Sequence, residues 1–469
     1  PRTPPDQPSL HNPCAAVLVL LLALATAVCA WQALRLEFDF SFRTLFLDHG
    51  EDDLAGEFDR RFGDHAGSFL VAAIQTTDVF QTDVLRAIAS MTDAIEQIPH
   101  IERVFSLASV PFIRGDADGL SFEPLTALVD DGTPAASLRA PVLDSPLYAR
   151  RLVSTDSTTT AVLALVDPKH RTIAERAPTI AAFKAAVEPL VPPGSHVLFT
   201  GYPITEAEYG RLVLQGMVTS QVVGIMLMAL ALYYCFRTLP AIILPLVVVG
   251  LATVLQVGFM GAHGQRLTFT NASVPLMMLV LGVAEVSFFV SRFYEEIAEH
   301  GFHDDTAATA VGSTLWPGFI AAVTTSIGFF ALGAGHIGLT RDFGFNMSVA
   351  SIVTFLVAAI VMPGALARLQ PPSQQVLDVV MGGPLIGILN RAADLVVARP
   401  KSILAFGLAT IVLGAWGGTF ITRDQYATRE LAADHPIQSA QHVIDAQLTG
   451  AFQTHVGVRA RDGSSLATP

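Results

Sequence analysis

A chain of 469 residues that is 51% hydrophobic, 15% charged and has a mean hydropathy of +0.50 is too apolar for an ordinary soluble protein, and points to a membrane protein with a soluble portion. Its formal net charge of -13, with no basic run able to track a phosphate backbone, excludes nucleic acid as a partner. The three cysteines, Cys14, Cys29 and Cys235, all fall in or beside apolar runs and read as small buried hydrophobes, so neither a disulfide framework nor a cysteine metal site is expected.

Residues 1–14 are proline-rich and read as a cytoplasmic N-terminal segment, and the lack of an initial Met reads as a truncated start. Segment 15–34 holds the first apolar run, Ala15 to Ala33. Val28-Cys29-Ala30 suits cleavage of a signal peptide, whereas the repeat described below favours a retained span.

From 35 to 212 the chain is polar and mixed, and it reads as two similar units. Ser68 to Thr76 is expected as a strand, Phe80 to Gln97 as an amphipathic helix stopped before Pro99, and Ile101 to Ala108 as a second strand. The order recurs, with a strand over Thr160 to Val166, a helix over Ile173 to Leu190 ended by Pro192-Pro193, and a strand over His196 to Thr200. Two β-α-β units of this kind predict an α+β ferredoxin-like domain. Gly115 to Ser145, rich in Gly, Pro, Asp and Ser, reads as a loop or insertion. Its acids Asp116, Asp118, Asp130 and Asp131 suit a solvated acidic loop or a cation site.

Segment 213–369 carries five spans in quick succession, about Met217 to Phe236, Pro240 to Met260, Ser273 to Phe293, Leu315 to Gly333 and Phe345 to Ala367. A linker over 370–400 follows, opening at Gln370-Pro371-Pro372. Its stretch Val376 to Val397 mixes apolar groups with Asp378, Asn390, Arg391 and Asp394, as a helix lying along the inner interface would, with Pro384 placed to break it. A seventh span fills 401–421, and 422–469 reads as the start of a second, truncated outer domain. Arg237, Arg292, Arg368, Arg391, Arg399 and Lys401 flank one side of the spans, whereas the short loops opposite carry Arg266 and Arg341. The first side is therefore expected to be cytoplasmic and the large polar domain extracytoplasmic. The fold class predicted is an α-helical polytopic membrane protein with about seven spans and an extracytoplasmic ferredoxin-like domain.

The span Ser273 to Phe293 holds one carboxylate, Glu285, somewhat past its middle. A charge at such depth costs at least about 2.5–3.5 kcal/mol on insertion scales, so acids there usually face a bundle interior or a wet cavity and often a proton or substrate path. Burial favours the neutral acid, and a neighbouring donor or cation favours the carboxylate, so Glu285 is a candidate to load and release a proton as its surroundings change. The alternative is an acid that stays protonated or only bonds two helices together. Gly282 and Ala284 would admit another helix closely, and Arg292, two turns on, reads as an interfacial anchor.

Relay or packing partners of the acid are sought in Gly282, Ser287, Thr324, Thr325, Ser326, Asn346 and Ser348, with Ser351 and Thr354 lining the same interface. Gly318, Ala322 and Ser326 form a small-residue stripe that packing explains as well as a relay does. His263, His303 and His336 sit in loops or at span ends and read as solvated or interfacial. No nucleophile elbow, Walker sequence or zinc spacing is present, so no enzyme, cofactor or metal is expected, and energy is expected from an ion gradient.

A weak internal repeat at a spacing of about 386 residues aligns Arg43, Leu45, Asp48-His49, Phe58 and Asp59 with Arg429, Leu431, Asp434-His435, Ile444 and Asp445, and Gly63 and Val71 with Gly450 and Val458. Both copies follow an apolar span, which reads as a duplicated transporter whose second half is absent here.

With Gly282-Val283-Ala284-Glu285-Val286, Ser291-Arg292-Phe293-Tyr294-Glu295-Glu296, Thr324-Thr325-Ser326-Ile327-Gly328-Phe329 and Arg341-Asp342-Phe343-Gly344 in place, the chain resembles the resistance-nodulation-division (RND) superfamily. The likeness is to the predicted exporters near the mycobacterial membrane protein large group, which share the sterol-sensing-domain arrangement of five spans with Patched and Niemann-Pick type proteins. It implies proton coupling by an acid in the fourth span, here Glu285. Relatives more often have Asp there, and many have His where this chain has Phe288. The resemblance further implies an inner-membrane exporter of a hydrophobic or lipid-like substrate, with the lipid bilayer, protons, the missing half of the chain and an oligomer as partners. A lipid-binding receptor of the sterol-sensing type, or a translocation accessory like SecD and SecF, are the other classes with this topology.

Overall fold

The computed structural model describes residues 13–40, 68–116, 119–167, 169, 172–335, 338–382, 384–421, 431–432 and 434–450. They fall into two compact units, one of Pro1–Asp39 with Leu212–Arg423 and one of Phe40–Arg211 with Asp424–Pro469. Of the repeat residues, Arg43, Leu45, Asp48, His49, Phe58, Asp59, Gly63, Arg429 and Val458 lie outside the described residues, as do Asp118 and His336.

The chain enters as helix α1 (Pro13–Ala33). The second unit follows with β1 (Phe69–Gln75), α2 (Thr82–Glu96), β2 (Ile101–Phe105), a hairpin of β3 (Pro111–Asp116) and β4 (Gly119–Pro124), α3 (Leu125–Asp130), α4 (Arg139–Asp144), β5 (Thr159–Val166), α5 (Ile173–Val187) and β6 (His196–Thr200). The main sheet has the order β2-β5-β1-β6, and β5 runs antiparallel to both β1 and β2. That is a split β-α-β fold with the two units interleaved, so the ferredoxin-like expectation is met.

The continuous apolar run of β1 reflects burial on both faces. Val71 and Ala73 pack with Ala161, Ile444 and Leu448, which leaves Leu70, Ala72 and Ile74 for the opposite face, where α2 and α5 lie. In α2 the buried residues Val84, Leu85, Ile88, Met91, Thr92 and Ile95 recur at helical spacing and form one apolar stripe. Helix α5 starts on a capping box. Thr172 Oγ1 accepts from the Glu175 amide at 3.3 Å, and the Glu175 carboxylate accepts from the Thr172 amide at 3.0 Å.

The segment Gly115 to Ser145 corrects the loop expectation. It contains β4 and half of the β3–β4 hairpin, followed by α3, a 3-10 turn at Ala135–Leu138 and α4. The hairpin escapes a period-two reading because apolar side chains lie on both of its faces. Phe112 is buried against Tyr148, while Ile113 and Phe122 are exposed. Among the described residues no cluster of three metal-ligating side chains is present.

Helix α6 (Tyr202–Phe236) opens the run of spans, followed by α7 (Leu239–Ala262), α8 (Val274–His300), α9 (Thr306–Leu332), α10 (Gly338–Leu366), α11 (Gln374–Gly382), α12 (Pro384–Ala398) and α13 (Pro400–Gly418). Among the described residues there are eight segments long and apolar enough to cross a membrane, one more than the seven expected. The additional one, Gln374–Ala398, is the stretch expected along the inner interface, and its apolar length is divided between α11 and α12 where Pro384 begins a new helix. Helices α7 to α10 pack on one another, with Val248, Val249, Val283, Val286, Phe289, Ala322 and Ala350 in their shared core. Helix α1 lies along α7, where Gly258 and Gly261 bring the backbones of Cys29 and Gln32 close.

The last described helix, α14 (Pro436–Gln447), belongs to the segment expected to begin a second outer domain. Its Ile444 joins the core of the β1–β5–β6 sheet. Thus the only described helix of that segment is packed on the first α+β unit.

Gly201, which closes β6, holds φ at +107°, and a Cβ there would lie 2.2 Å from the Phe69 carbonyl oxygen. Gly132 also has positive φ, +94°, but open space around it. We therefore expect Gly201→Ala to destabilise the α+β unit by more than the roughly 1–3 kcal/mol of backbone strain alone, and Gly132→Ala by no more than that strain. Limited proteolysis across a denaturant series measures both, and equal effects would contradict the close approach.

Candidate functional site

A polar group in an apolar bundle is placed by the helices that exclude lipid from it. Gly282 makes that exclusion possible, since a Cβ at this position would come 2.9 Å from Val249 and 3.0 Å from Thr354, so α7 and α10 both press against α8 one turn before Glu285. Ala284 is exposed, so only one of the two small residues singled out beside the acid makes the close contact. Glu285 is half-buried.

Ser351 of α10 meets the acid. Its hydroxyl lies 3.4 Å from Glu285 Oε1 and 3.1 Å from the Ala322 carbonyl of α9, and the second carboxylate oxygen, Oε2, is buried with no hydrogen-bond partner. One serine carries one hydrogen, so it serves one acceptor at a time. With the acid ionised, Ser351 can donate to the carboxylate. With the acid protonated, the acid can donate to Ser351, which then donates to Ala322. The hydroxyl thus ties α8 to α10 in both states and releases or holds α9 according to where the proton sits.

A turn away, Ser326 of α9 and Ser348 of α10 share a hydrogen bond of 2.7 Å. Asn346 is fully buried, accepts from Gln256 of α7 at 3.3 Å and donates to the Asp342 carbonyl at 2.8 Å. The structure therefore brings Gly282, Ser326, Asn346 and Ser348 into the α7–α10 interior with Glu285. It does not bring Thr324 there, because that side chain is exposed and its hydroxyl bonds to the Ile320 and Ala321 carbonyls of its own turn. Ser287 likewise bonds to the Val283 carbonyl of its own helix, and Thr325 is half-buried. Thr354 spends its hydroxyl on the Ala350 carbonyl and contributes only its methyl group at Gly282.

The stripe Gly318, Ala322, Ser326 faces α10, where Gly318 meets Phe355 and Ala322 is fully buried. Arg292 engages Glu295 at 2.9 Å and Ser313 at 3.3 Å. Phe288, at the position where many relatives carry His, is exposed. His263 lies against the Phe259 ring in a tilted arrangement and His303 bonds to the Gly301 carbonyl, both on the exposed surface. Sequence reasoning missed Gln256. Its only signal is an amide alone in an otherwise apolar span, and that gives no direction without a neighbour.

Apolar spans packed around a half-buried carboxyl, joined in one chain to a split β-α-β unit, define a polytopic membrane protein. The chain matches the model of the MMPL family over residues 61–403, more than half its length, and it belongs to that family, within the RND superfamily. A search of the curated proteins finds no match for it.

The close approach at Gly282 predicts that Gly282→Leu lowers bundle stability by about 1–3 kcal/mol through overpacking, whereas Gly328→Ala, with open space at its Cβ, leaves it unchanged. Thermal unfolding of the detergent-solubilised protein distinguishes the two, and a silent Gly282→Leu would rule out the tight contact.

Proposed function

We propose that this chain is part of a proton-motive-force-driven exporter that moves a hydrophobic or amphiphilic, lipid-like substrate across the inner membrane, with the α+β unit on the extracytoplasmic side. Membership of the MMPL family supports transport of a lipid-like substrate. The observation that carries proton coupling is Glu285, a half-buried acid inside the bundle with one oxygen bonded to Ser351 and the other without a partner. The protonated and the ionised acid each order the Ser351 hydroxyl differently between α8 and α9. A proton arriving or leaving then biases the packing of two spans, which is what alternating access requires. The sidedness rests on the excess of Arg and Lys at the ends of the spans that include Arg237, Arg368, Arg399 and Lys401.

In this reading segment 35–212 is the porter-like domain, 213–369 the sterol-sensing-like bundle, and 422–469 the beginning of a second outer domain, with transport requiring the whole duplicated protein. Ser326, Asn346 and Ser348 serve the acid, while Thr324 and Ser287 act only within their own helices.

The reading is tested in cells expressing the complete gene, by following accumulation of a fluorescent lipophilic probe. Glu285→Gln is expected to reduce export to the level reached with an uncoupler, and Glu285→Asp to retain part of it. Export by Glu285→Gln that still collapses with the uncoupler would assign coupling to another group and end the proposal.

A further inference from the structure

The polar groups around Glu285 are not distributed evenly along the bundle. Helices α8 and α10 start, and α7 and α9 end, at the end of the bundle that carries the 263–273 and 333–337 connections. Between Glu285 and that end lie Ser351, the Ser326–Ser348 pair, the Gln256–Asn346 pair and Asn271. Among the described residues, four buried acceptor atoms there have no hydrogen-bond partner, Glu285 Oε2, Gln256 Oε1, Asn271 Oδ1 and Gln265 Oε1, and Gln256 and Asn271 are almost completely inaccessible, at 0% and 2%. A buried acceptor left without a donor costs about 1–3 kcal/mol, so a row of them inside an apolar bundle is a place that water or a proton carrier stabilises.

Toward the opposite end the interior changes character. Phe289, Phe293, Val357, Ala358 and Met362 are buried within 2% of full enclosure, and no buried side-chain acceptor of α7 to α10 is without a partner there among the described residues. Thr314, which lies on that side, gives its hydroxyl to the Ala310 carbonyl of its own helix. The charged groups of the four helices do not supply a path either. Helices α7 and α9 carry none, α10 carries Arg341 and Asp342 at its first-named end, and α8 carries Arg292, Glu295, Glu296, Glu299 and His300 beyond the apolar layer.

From this asymmetry, and resting on the proton-coupled reading above, we infer that in this conformation Glu285 exchanges protons with only one face, the end bearing the 263–273 and 333–337 connections. The Gln256–Asn346 amide pair forms the passage, and the Phe289–Phe293–Met362 layer seals the other side. Gln256 and Asn346 are positioning residues, since an amide accepts a hydrogen bond at its oxygen and donates from its nitrogen, and so orients water toward Ser348 and Glu285 without itself titrating. The face in question is the extracytoplasmic one under the proposed topology. Release on the other side then requires α8 and α10 to separate at the aromatic layer.

The test uses the complete protein in sealed membrane vesicles of both orientations and a fluorescent carbodiimide, which reacts with protonated carboxyls in apolar surroundings, with Glu285→Gln as the blank. Labelling of Glu285 is expected to follow the pH on the 263–273 side, falling about tenfold per pH unit above its midpoint as a single acid requires, and to ignore the pH on the other side. In a background with Cys14, Cys29 and Cys235 replaced by Ser, Gln256→Cys or the more conservative Ser348→Cys is expected to react with a small impermeant thiosulfonate from that side alone. That modification should abolish the response of Glu285 to pH, while Met362→Cys stays unmodified from the other side. Labelling that follows the opposite pH, or a Met362→Cys that reacts, overturns the inference and leaves proton coupling standing. Absence of labelling at every pH overturns both.

Discussion

A carboxyl in the middle of an apolar bundle sets the terms for its surroundings. Lipid cannot solvate it, so the neighbouring helices must, and they can do so only if they come close enough for short side chains to reach. Gly282 supplies the closeness, with Val249 and Thr354 against its bare backbone, and Ser351 supplies the reach. Elsewhere in α9 and α10, Ser326 and Ser348 bond to each other, while Thr324 and Thr354 are folded back onto carbonyls of their own helices. Satisfying a hydroxyl within its own turn is the ordinary solution in a membrane helix, and departures from it mark where the bundle is specialised.

The two units are held by different physics. In the α+β unit water drives apolar groups together, and the interior of β1 with α2 and α5 is a water-excluded core of Leu70, Ile74, Leu85, Ile88 and Phe183. A deeply placed ion pair, Arg176 with Glu206 at 3.2 Å, joins α5 to the first turns of α6 with little exposure of either side chain. Removing one partner of such a pair strands the other charge, a loss of about 3–5 kcal/mol. Among the spans there is no such drive, because lipid is as apolar as the helices themselves, and cohesion comes from small residues and a few hydrogen bonds.

Much of this was legible in the residues, for reasons that differ by element. The spans declare themselves through length and apolarity. The split β-α-β order follows from two strand-helix-strand runs whose proline stops, Pro99 and Pro192-Pro193, punctuate the chain at the same places. The β3–β4 hairpin was hidden because Phe112, Ile113 and Phe122 remove the alternation that marks a half-exposed strand. Glu285 was visible as an ionisable group where none is expected, but its partners were not separable by sequence. Thr324 and Ser326 are two residues apart on one helix, which puts them about 200° apart around its axis, and only the packing of α10 decides which of them faces the acid. Gln256 needed its partner Asn346, 90 residues later, before it had a meaning.

The meeting of α1 with α7 bears on how the protein is made. The glycine notch at Gly258 and Gly261 is shaped for the backbone around Cys29 and Gln32, and the entire α+β unit and α6 are encoded between the two. During synthesis the first helix leaves the ribosome long before its groove exists, so it must wait in the bilayer, or beside the insertion machinery, while a whole β-sheet domain is built and the next two helices are laid down. Its own apolarity keeps it there, but nothing local fixes its rotation. Docking of α1 against α7 is therefore a late step that follows the making of both helices, and a bulky residue at Gly258 would obstruct it without altering either helix.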